Sequence, residues 1–456
     1  GSKNLADTII KMTQDFTGAN NMGYFAKKGM FGSRECGGQY SAAARYSKIQ
    51  LNWWVPLVFY KESVELVEKR SVDGNIAEPY WLPAVIPMGL VNKMEGIATG
   101  FSTFLPGHNP LDLIENLEKM IDGEKPPEEI IPWFNGFEGK LALETKESGG
   151  SSTRKKKKEV IVVEEEEEGE EEEEVEGEEG DLAVEDRNEE KRRRDAEKIE
   201  EKIIEHSVTK SRKTIKATGI FKNLGRKKNG QRIIKITELP PRIWTGRYVA
   251  WVNSVINEKG KKKLFSDVKN KSKPNTVDIE ITWKSKETEP TIHNLKLVKN
   301  FGLSNITLID HEGFPKKYKS STKVLKKYFK HMIEHYGELK LHRLKVEEDK
   351  IKLASYKTRY IQGRLDGEIH IKNMDEEEIR SQLEKIDVPF EVYDKMRERD
   401  LSKQSLAKWK KEIEQAEARL EEVKKQTPES IWKEKLGKLK KALVKRYKNG
   451  KLDMSE

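Results

Sequence analysis

The chain has 456 residues, of which 36% are charged and only 35% hydrophobic; that is enough for two to four domains with cores of their own, with much of the rest left as exposed helix, arm or linker. No apolar run approaches the ~20 residues of a membrane span, no signal peptide is visible, and the single cysteine, Cys36, excludes an internal disulfide and a cysteine-rich zinc site, so a reducing, intracellular setting without a membrane partner is expected. The net charge is +9, yet residues 159–190 hold nineteen carboxylates against one arginine; the remainder carries about +27, a surface suited to a polyanion and most simply to nucleic acid.

Leu5, Ile9, Met12 and Phe16 recur at helical spacing and predict an amphipathic helix over about 3–16, ended by Thr17-Gly18. The turns that follow, Asn20-Asn21-Met22-Gly23 and Lys27-Lys28-Gly29, are rich in small residues, amides and lysines. Such turns suit close approach to phosphates through backbone N–H groups and side-chain donors, and they equally suit an ordinary surface. The stretch from Gly29 to Tyr46 places glycines at 29, 32, 37 and 38, which demands tight bends or close approach. It closes on Arg45-Tyr46, a cation beside a phenol. That pair is able to attack a phosphodiester and to steady the charge that develops on phosphorus. Taken alone, a tyrosine in such a dipeptide is far more often a half-buried aromatic.

Residues 53–60 are apolar and aromatic, and Asp73-Gly74-Asn75 signals a turn. Residues 78–88 are stiffened by Pro79, Pro83 and Pro87. Asn109-Pro110 opens a helix with Leu111, Ile114, Leu117 and Ile121 on one face, ending at Asp122-Gly123, and residues 140–143 read as a short strand. From about 147 to 205 lysine and glutamate runs cannot bury enough apolar surface to fold alone. This reads as a disordered acidic insertion with residues 195–204 helical at its end, serving either as an arm that competes with DNA or as a solvated tether. Residues 214–221 and 231–236 predict a hairpin around Asn229-Gly230, and Val277–Trp283 a further strand.

Ser321-Thr322 caps a long helix striped by Leu325, Phe329, Met332, Tyr336 and Leu339. A second long helix from Ser402 carries Leu406, Trp409, Ile413, Ala416, Leu420 and Val423 at alternating steps of three and four, a heptad seam. The two predict an antiparallel arm, with residues 375–383 helical near its far end and a last helix capped by Thr427-Pro428. His331 and His335 match the H-x-x-E-H zinc pattern. Three fixed positions recur by chance on a helix of this composition, so no metal ligand is assigned.

Five motifs stand in one order: Leu5-Ala6-Asp7-Thr8-Ile9-Ile10, Phe16-Thr17-Gly18-Ala19-Asn20-Asn21, Gly29-Met30-Phe31-Gly32-Ser33-Arg34, Gly37-Gly38 and Ala42-Ala43-Ala44-Arg45-Tyr46. Together they resemble the breakage-reunion region of eukaryotic-type type IIA DNA topoisomerases. Gln39-Tyr40 departs from the charged pair usual after Gly-Gly, as in a divergent, viral-type member. The resemblance implies an α+β multidomain fold: a winged-helix domain over 1–85, incomplete at its N-terminus; an α/β tower over 86–315 that holds the acidic insertion; and a long antiparallel coiled-coil arm and exit-gate dimerisation region over 316–456. It implies Tyr46 as the nucleophile that joins a DNA 5′-phosphate and Arg45 as the transition-state clamp. Ile97, in Glu95-Gly96-Ile97-Ala98-Thr99-Gly100, becomes a wedge that parts base pairs and bends the duplex. Asn20, Asn21, Lys27, Lys28, Arg34 and Asn92 are the further DNA contacts expected.

The implied partners are double-stranded DNA, a second copy of the chain, and an N-terminal portion of the same enzyme. Neither a P-loop nor an Asp-x-Asp cluster is seen, so the ATP and Mg2+ of the family are expected on that missing portion, in its ATPase and toprim domains. The fragment alone is then not expected to cleave. The implied location is the nucleus for a cellular protein, and a viral factory, nucleus or virion for a viral one. The alternative is a catalytically inert DNA-binding and dimerisation scaffold, for which Tyr46 is dispensable.

Overall fold

The computed structural model describes residues 1–146 and 212–453, apart from 99, 228–229, 259–263, 285–287, 304, 311–312, 372–373, 398–399 and 449. The acidic run, the helix expected at 195–204 and Asn229 lie outside the described residues. The fold is mixed α/β.

The first helix, α1 (Ser2–Thr13), stops short of Phe16 because Gln14 turns extended, at φ −66° and ψ 126°. Phe16 packs instead edge-on against Trp244, 5.8 Å between ring centres. Strands β1 (Phe25–Lys28) and β2 (Lys48–Leu51) pair antiparallel and bracket the glycine loop. Two short helices follow, α2 (Val55–Val58) and α3 (Lys61–Glu65). A hairpin of β3 (Lys69–Val72) and β4 (Asn75–Pro79) comes next. Its two-residue turn, Asp73-Gly74, has φ of 51° and 77°, the doubly positive geometry that matches strand twist. After α4 (Met88–Val91), β5 (Met94–Ala98) and β6 (Phe101–Leu105) form a two-stranded ribbon. In α5 (Pro110–Ile121) the Asn109 side chain accepts from the Leu111 N–H, and proline takes the first helical position, where its missing N–H costs nothing. The buried face of α5 is Leu113, Ile114 and Leu117, with Leu111 only half-buried.

Two sheets make the second region. One orders β7 (Lys140–Lys146), β8 (Arg212–Thr218) and β13 (Val298–Gly302) as β13-β8-β7. The other runs β11 (Phe265–Asn270), β12 (Ile279–Trp283), β10 (Arg232–Glu238) and β9 (Ile220–Arg226). Along β10 buried and half-buried residues alternate, the period of a strand with one face on a core. That core joins Ile234, Ile236, Phe265, Ile279, Ile281 and Trp283 to Tyr248 and Val252 of α6 (Thr245–Asn257). The expected hairpin is corrected here: β10 pairs with residues 220–226, whereas 212–218 belong to the other sheet. Gly219 separates the two strands, and a Cβ there would run into the Glu238 carbonyl. Strands β7 and β8 pair from Lys140↔Thr218 to Lys146↔Arg212, so residues 147–211 leave and return at adjacent strand ends.

A small hairpin, β14 (Ile306–Ile309) with β15 (Pro315–Tyr318), leads into α7 (Ser321–Leu365), 45 residues long and capped by Ser320. At 1.5 Å per residue it spans about 68 Å. Near its far end come α8 (Glu376–Lys385), which opens with a capping box from Asp375 and Glu378, and α9 (Phe390–Asp394). The returning helix, α10 (Lys403–Lys425), is antiparallel to α7. The Lys357 ammonium lies 3.9 Å from the Trp409 ring centre, and Arg419 stands 4.0 Å from Glu347, so positions that rise along one helix fall along the other. Ala416 is buried on the seam, and Leu406, Trp409, Ile413, Leu420 and Val423 are half-buried. The last helix, α11 (Pro428–Arg446), and the hairpin β16 (Tyr447–Lys448)–β17 (Lys451–Leu452) turn back onto the N-terminal region. There Trp432, Leu436, Leu439 and Leu443 share one core with Trp54, Ile86, Leu90, Leu113 and Leu117, and with Met332, Tyr336 and Leu339 of α7. The Trp432 indole donates to the Val85 carbonyl at 2.9 Å, which satisfies the one polar atom that its burial would otherwise strand.

Candidate nucleophile and nucleic-acid interface

Tyr46 ends a single 3-10 turn, Ala44–Tyr46, and is 69% exposed. The Arg45 guanidinium carbon lies 4.9 Å from the centre of its ring. A large aromatic held out in water gives up burial worth about 1.5–3 kcal/mol, and here the phenol and a cation are presented side by side. The loop that carries them is fixed from several directions. Gln14 donates through Nε2 to the carbonyls of Phe31 at 2.8 Å and Gly38 at 2.9 Å. The Ala42 N–H donates to Met30 at 2.8 Å. Gly37, at φ +67°, lies against the Trp244 indole, and a Cβ would drive into that ring. The Gly246 N–H donates to the Glu35 carbonyl at 2.9 Å.

Arg34 completes this clamp, which corrects its expected place on DNA. It is 3% exposed, ion-paired with Glu238, and donates to the Leu239 carbonyl at 2.8 Å. Glu238 also accepts from the N–H of Leu239 at 2.9 Å and of Glu138 at 3.3 Å. A charge so buried is tolerated only because its partner and these bonds replace water.

Asn21 and Asn92 are likewise interior rather than DNA-facing. Asn21 is 3% exposed; it donates to the Val91 carbonyl at 2.8 Å and the Trp133 carbonyl at 3.0 Å, and accepts from the Asn135 N–H at 2.8 Å. Asn92 is 6% exposed and makes a reciprocal pair with the Met22 backbone, accepting at 2.8 Å and donating at 2.7 Å. Both carboxamides tie non-adjacent loops that would otherwise hold unpaired buried backbone groups. Asn20 is half-buried and donates to the carbonyls of Lys11 and Gln14, each at 2.7 Å. Lys27, ion-paired to Asp15, and Lys28 are exposed on β1. There Lys28 faces Lys48 across the ribbon, a basic strip that runs up to Tyr46.

Ile97 is 93% exposed, opposite Ser102 on the β5–β6 ribbon. The ribbon's pairing holds the apolar side chain in water with no core beneath it. A cavity of about 510 Å3 opens between α1, the loop 37–41 and Lys93, the residue before β5. His331 and His335, the two histidines of the zinc pattern, lie beside Trp81, with ring centres 4.6 and 5.2 Å from it, and among the described residues no three His, Cys, Asp or Glu side chains converge. Burial, with Lys435 and His331 nearby, pushes the His335 imidazole down to about 4.

Tyr46, Arg45 and Ile97, singled out in the sequence, are exposed, and the clamp of Gln14, Glu238 and Trp244 was not anticipated. The available signal was the adjacent pair Gly37-Gly38, which demands something large pressed close.

The family model for the A-subunits of DNA gyrase/topoisomerase IV matches residues 1–179 and 195–437. The chain is 27% identical over 393 residues to DNA topoisomerase 2 of Pisum sativum, covering 84% of this chain and 22% of that protein. It is 26% identical over 387 residues to DNA topoisomerase 2 of Invertebrate iridescent virus 6, covering 84% and 27%. The chain thus spans about a quarter of the length of the relatives it matches. Its fold is similar to that of the Plasmodium falciparum topoisomerase II DNA-binding, cleavage and re-ligation domain, with a TM-score of 0.72 at 21% identity, over 97% of this chain and 55% of that one. The exposed phenol beside its guanidinium and the loop locked behind them are therefore those of a chain that belongs to the DNA gyrase/topoisomerase IV A-subunit family.

Proposed function

We propose that this chain carries out DNA cleavage and re-ligation within an ATP-dependent type II DNA topoisomerase. The observation that carries the reading is the Arg45–Tyr46 pair, exposed at 4.9 Å on a loop immobilised by buried groups. In the proposed step the Tyr46 Oη attacks a backbone phosphorus, and the P–O bond to the 3′-oxygen breaks. The phenolic proton leaves to solvent or a base, and the 3′-oxygen departs as a hydroxyl. Arg45 stabilises charge on the non-bridging oxygens. The product is still a diester, so the 3′-hydroxyl reverses the step without ATP. Ile97 parts a base step, and the cost of roughly a few kcal/mol is offset by the contact that bent DNA permits. Lys27 and Lys28 supply backbone contacts.

In this reading residues 1–85 act as a winged-helix domain, 86–315 as a tower, and 316–456 as a coiled-coil arm through which two copies dimerise. Each copy then cuts one strand, and a second duplex passes. Among the described residues no three His, Cys, Asp or Glu side chains converge as a magnesium site would require. The metal and ATP belong, in this proposal, to other parts of the natural protein. The test is plasmid relaxation by the full-length protein carrying Tyr46→Phe. Activity is expected to fall by ~10³-fold or more with duplex affinity retained. Unchanged relaxation would leave only the scaffold reading.

A further inference from the structure

Three cations, Lys93, Arg242 and Lys299, lie near one another outside the nucleophile's loop. Lys93 holds a positive φ of 62°, a strained conformation for a side-chain-bearing residue. Its ammonium is mostly buried and donates to the Gly18 carbonyl at 2.8 Å. Arg242, also at positive φ (66°), donates to Glu95 Oε1 at 2.8 Å and lies 5.7 Å from the Phe104 ring. Lys299 donates to the Arg242 carbonyl at 3.4 Å and lies 5.6 Å from the Phe301 ring. Phe104 and Phe301 are themselves stacked, 5.8 Å apart and 8° from parallel. Arg242 and Lys299 thus lie against a stacked aromatic pair, with Lys93 close enough to feel both charges and Glu95 as the counter-charge. They adjoin the ribbon that raises Ile97 on one side and, through Lys93, the 510 Å3 cavity on the other.

We infer that Lys93, Arg242 and Lys299 form a phosphate-holding site for the DNA backbone beside the step that Ile97 parts; this rests on the DNA-binding reading above. A phosphate supplies the negative charge that the group lacks, and the aromatic pair limits the water that would screen it. The site has a proton linkage. Lys93 is pushed down to about 8, first by burial and then by Arg242 and Lys299, with Glu95 opposing. Asp7 and Lys11 of α1 face it across the cavity. A bound phosphate favours the charged amine, so its affinity for protons rises on binding. Above about pH 8 the free chain has lost that proton and binding takes it up again, so affinity falls as pH rises.

The experiment follows binding of a 30-base-pair duplex to this chain by fluorescence anisotropy, at several salt concentrations and at pH 7 and 9. Wild-type affinity is expected to weaken about tenfold between the two pH values. Lys93→Gln should lower the slope of log affinity against log salt by about 0.9 and lose Lys93's share of the pH dependence. Lys93→Arg stays charged, so it should keep the slope and lose that share of the pH dependence. Lys299→Gln, which spares the strained backbone position, should also reduce the slope. Tight binding by all four proteins with equal slopes and equal pH dependence overturns the site and leaves the cleavage reading standing. Failure of the wild-type chain to bind any duplex overturns both.

Discussion

Arg34 shows how a residue remote from the reacting atoms can govern them. Its guanidinium is buried against Glu238, the last residue of β10, while its backbone belongs to the loop that ends at Tyr46. Arg34→Met leaves the Glu238 carboxylate buried with only two backbone donors. Removing one partner of such a pair costs about 3–5 kcal/mol, an expectation checked by urea unfolding. If stability alone were at stake, Arg34→Met with Glu238→Leu would restore both stability and cleavage. With a clamp at work, stability should recover in the double variant while cleavage stays low, because the loop is no longer held in register. Gly37→Ala drives a methyl into Trp244 at a positive φ and is expected to reduce cleavage in the same way. The interior places of Arg34, Asn21 and Asn92 were not legible in the sequence. An amide or guanidinium in a turn looks the same whether it meets phosphate or satisfies a buried carbonyl, and only tertiary contacts between residues 70 to 200 positions apart decide which. Tyr46 and Ile97 stood out in the sequence through the ordered series of motifs around them, and the structure adds that both side chains are exposed.

Among the elements, those with strong local periodicity emerged much as read. The 3–4 spacing from Leu406 to Val423 became the half-buried seam of α10, and Asp375, Ser402 and Thr427 each cap the helix that follows; the cap of α7 is Ser320 rather than the expected Ser321-Thr322, which lie in its first turn. The error fell where pairing is non-local. Residues 214–221 read as one strand, whereas the chain divides at Gly219, where a Cβ would meet the Glu238 carbonyl, and feeds two sheets. On the arm, Ala416 is the buried small residue of α10, 1% exposed. Ala416→Glu would bury an unpaired charge at the α7–α10 contact, at a cost of several kcal/mol. The arm should lose helix by circular dichroism at lower temperature, and duplex affinity should not change, since the arm is far along the chain from Lys27, Lys93 and Tyr46. A matched loss of affinity would contradict that separation.

Across the whole molecule, a shared core and an ionic knot couple the N-terminal region to the arm. Glu62 of α3 accepts from Arg343 of α7 at 2.6 and 3.1 Å and pairs with the buried Lys435 of α11 at 2.9 Å. Burial raises the Glu62 carboxyl, but hydrogen bonds from Arg343 and Lys435 outweigh it and hold it below the usual range. His335 nearby, and His108 in the same region, are each pushed down to about 4, mainly by burial. The unfolded chain therefore takes up these protons first, and stability rises with pH through this range. Going downward, stability should fall from about pH 6.5 to 4 as the histidines are forced to charge, by up to about 3 kcal/mol each, and further as Glu62 protonates. Urea midpoints between pH 7 and 4 test this, with His335→Gln expected to flatten the slope by about one proton.

These scales meet at the phenol. The most direct measurement is a denaturant trap of the full-length protein on end-labelled duplex with magnesium, followed by protease digestion and sequencing of the labelled peptide. The predicted result is a 5′-phosphate linked to the peptide that contains Tyr46, on both strands, with none formed by Tyr46→Phe. A link at another residue or at a 3′-end, or no link where relaxation persists, would contradict it.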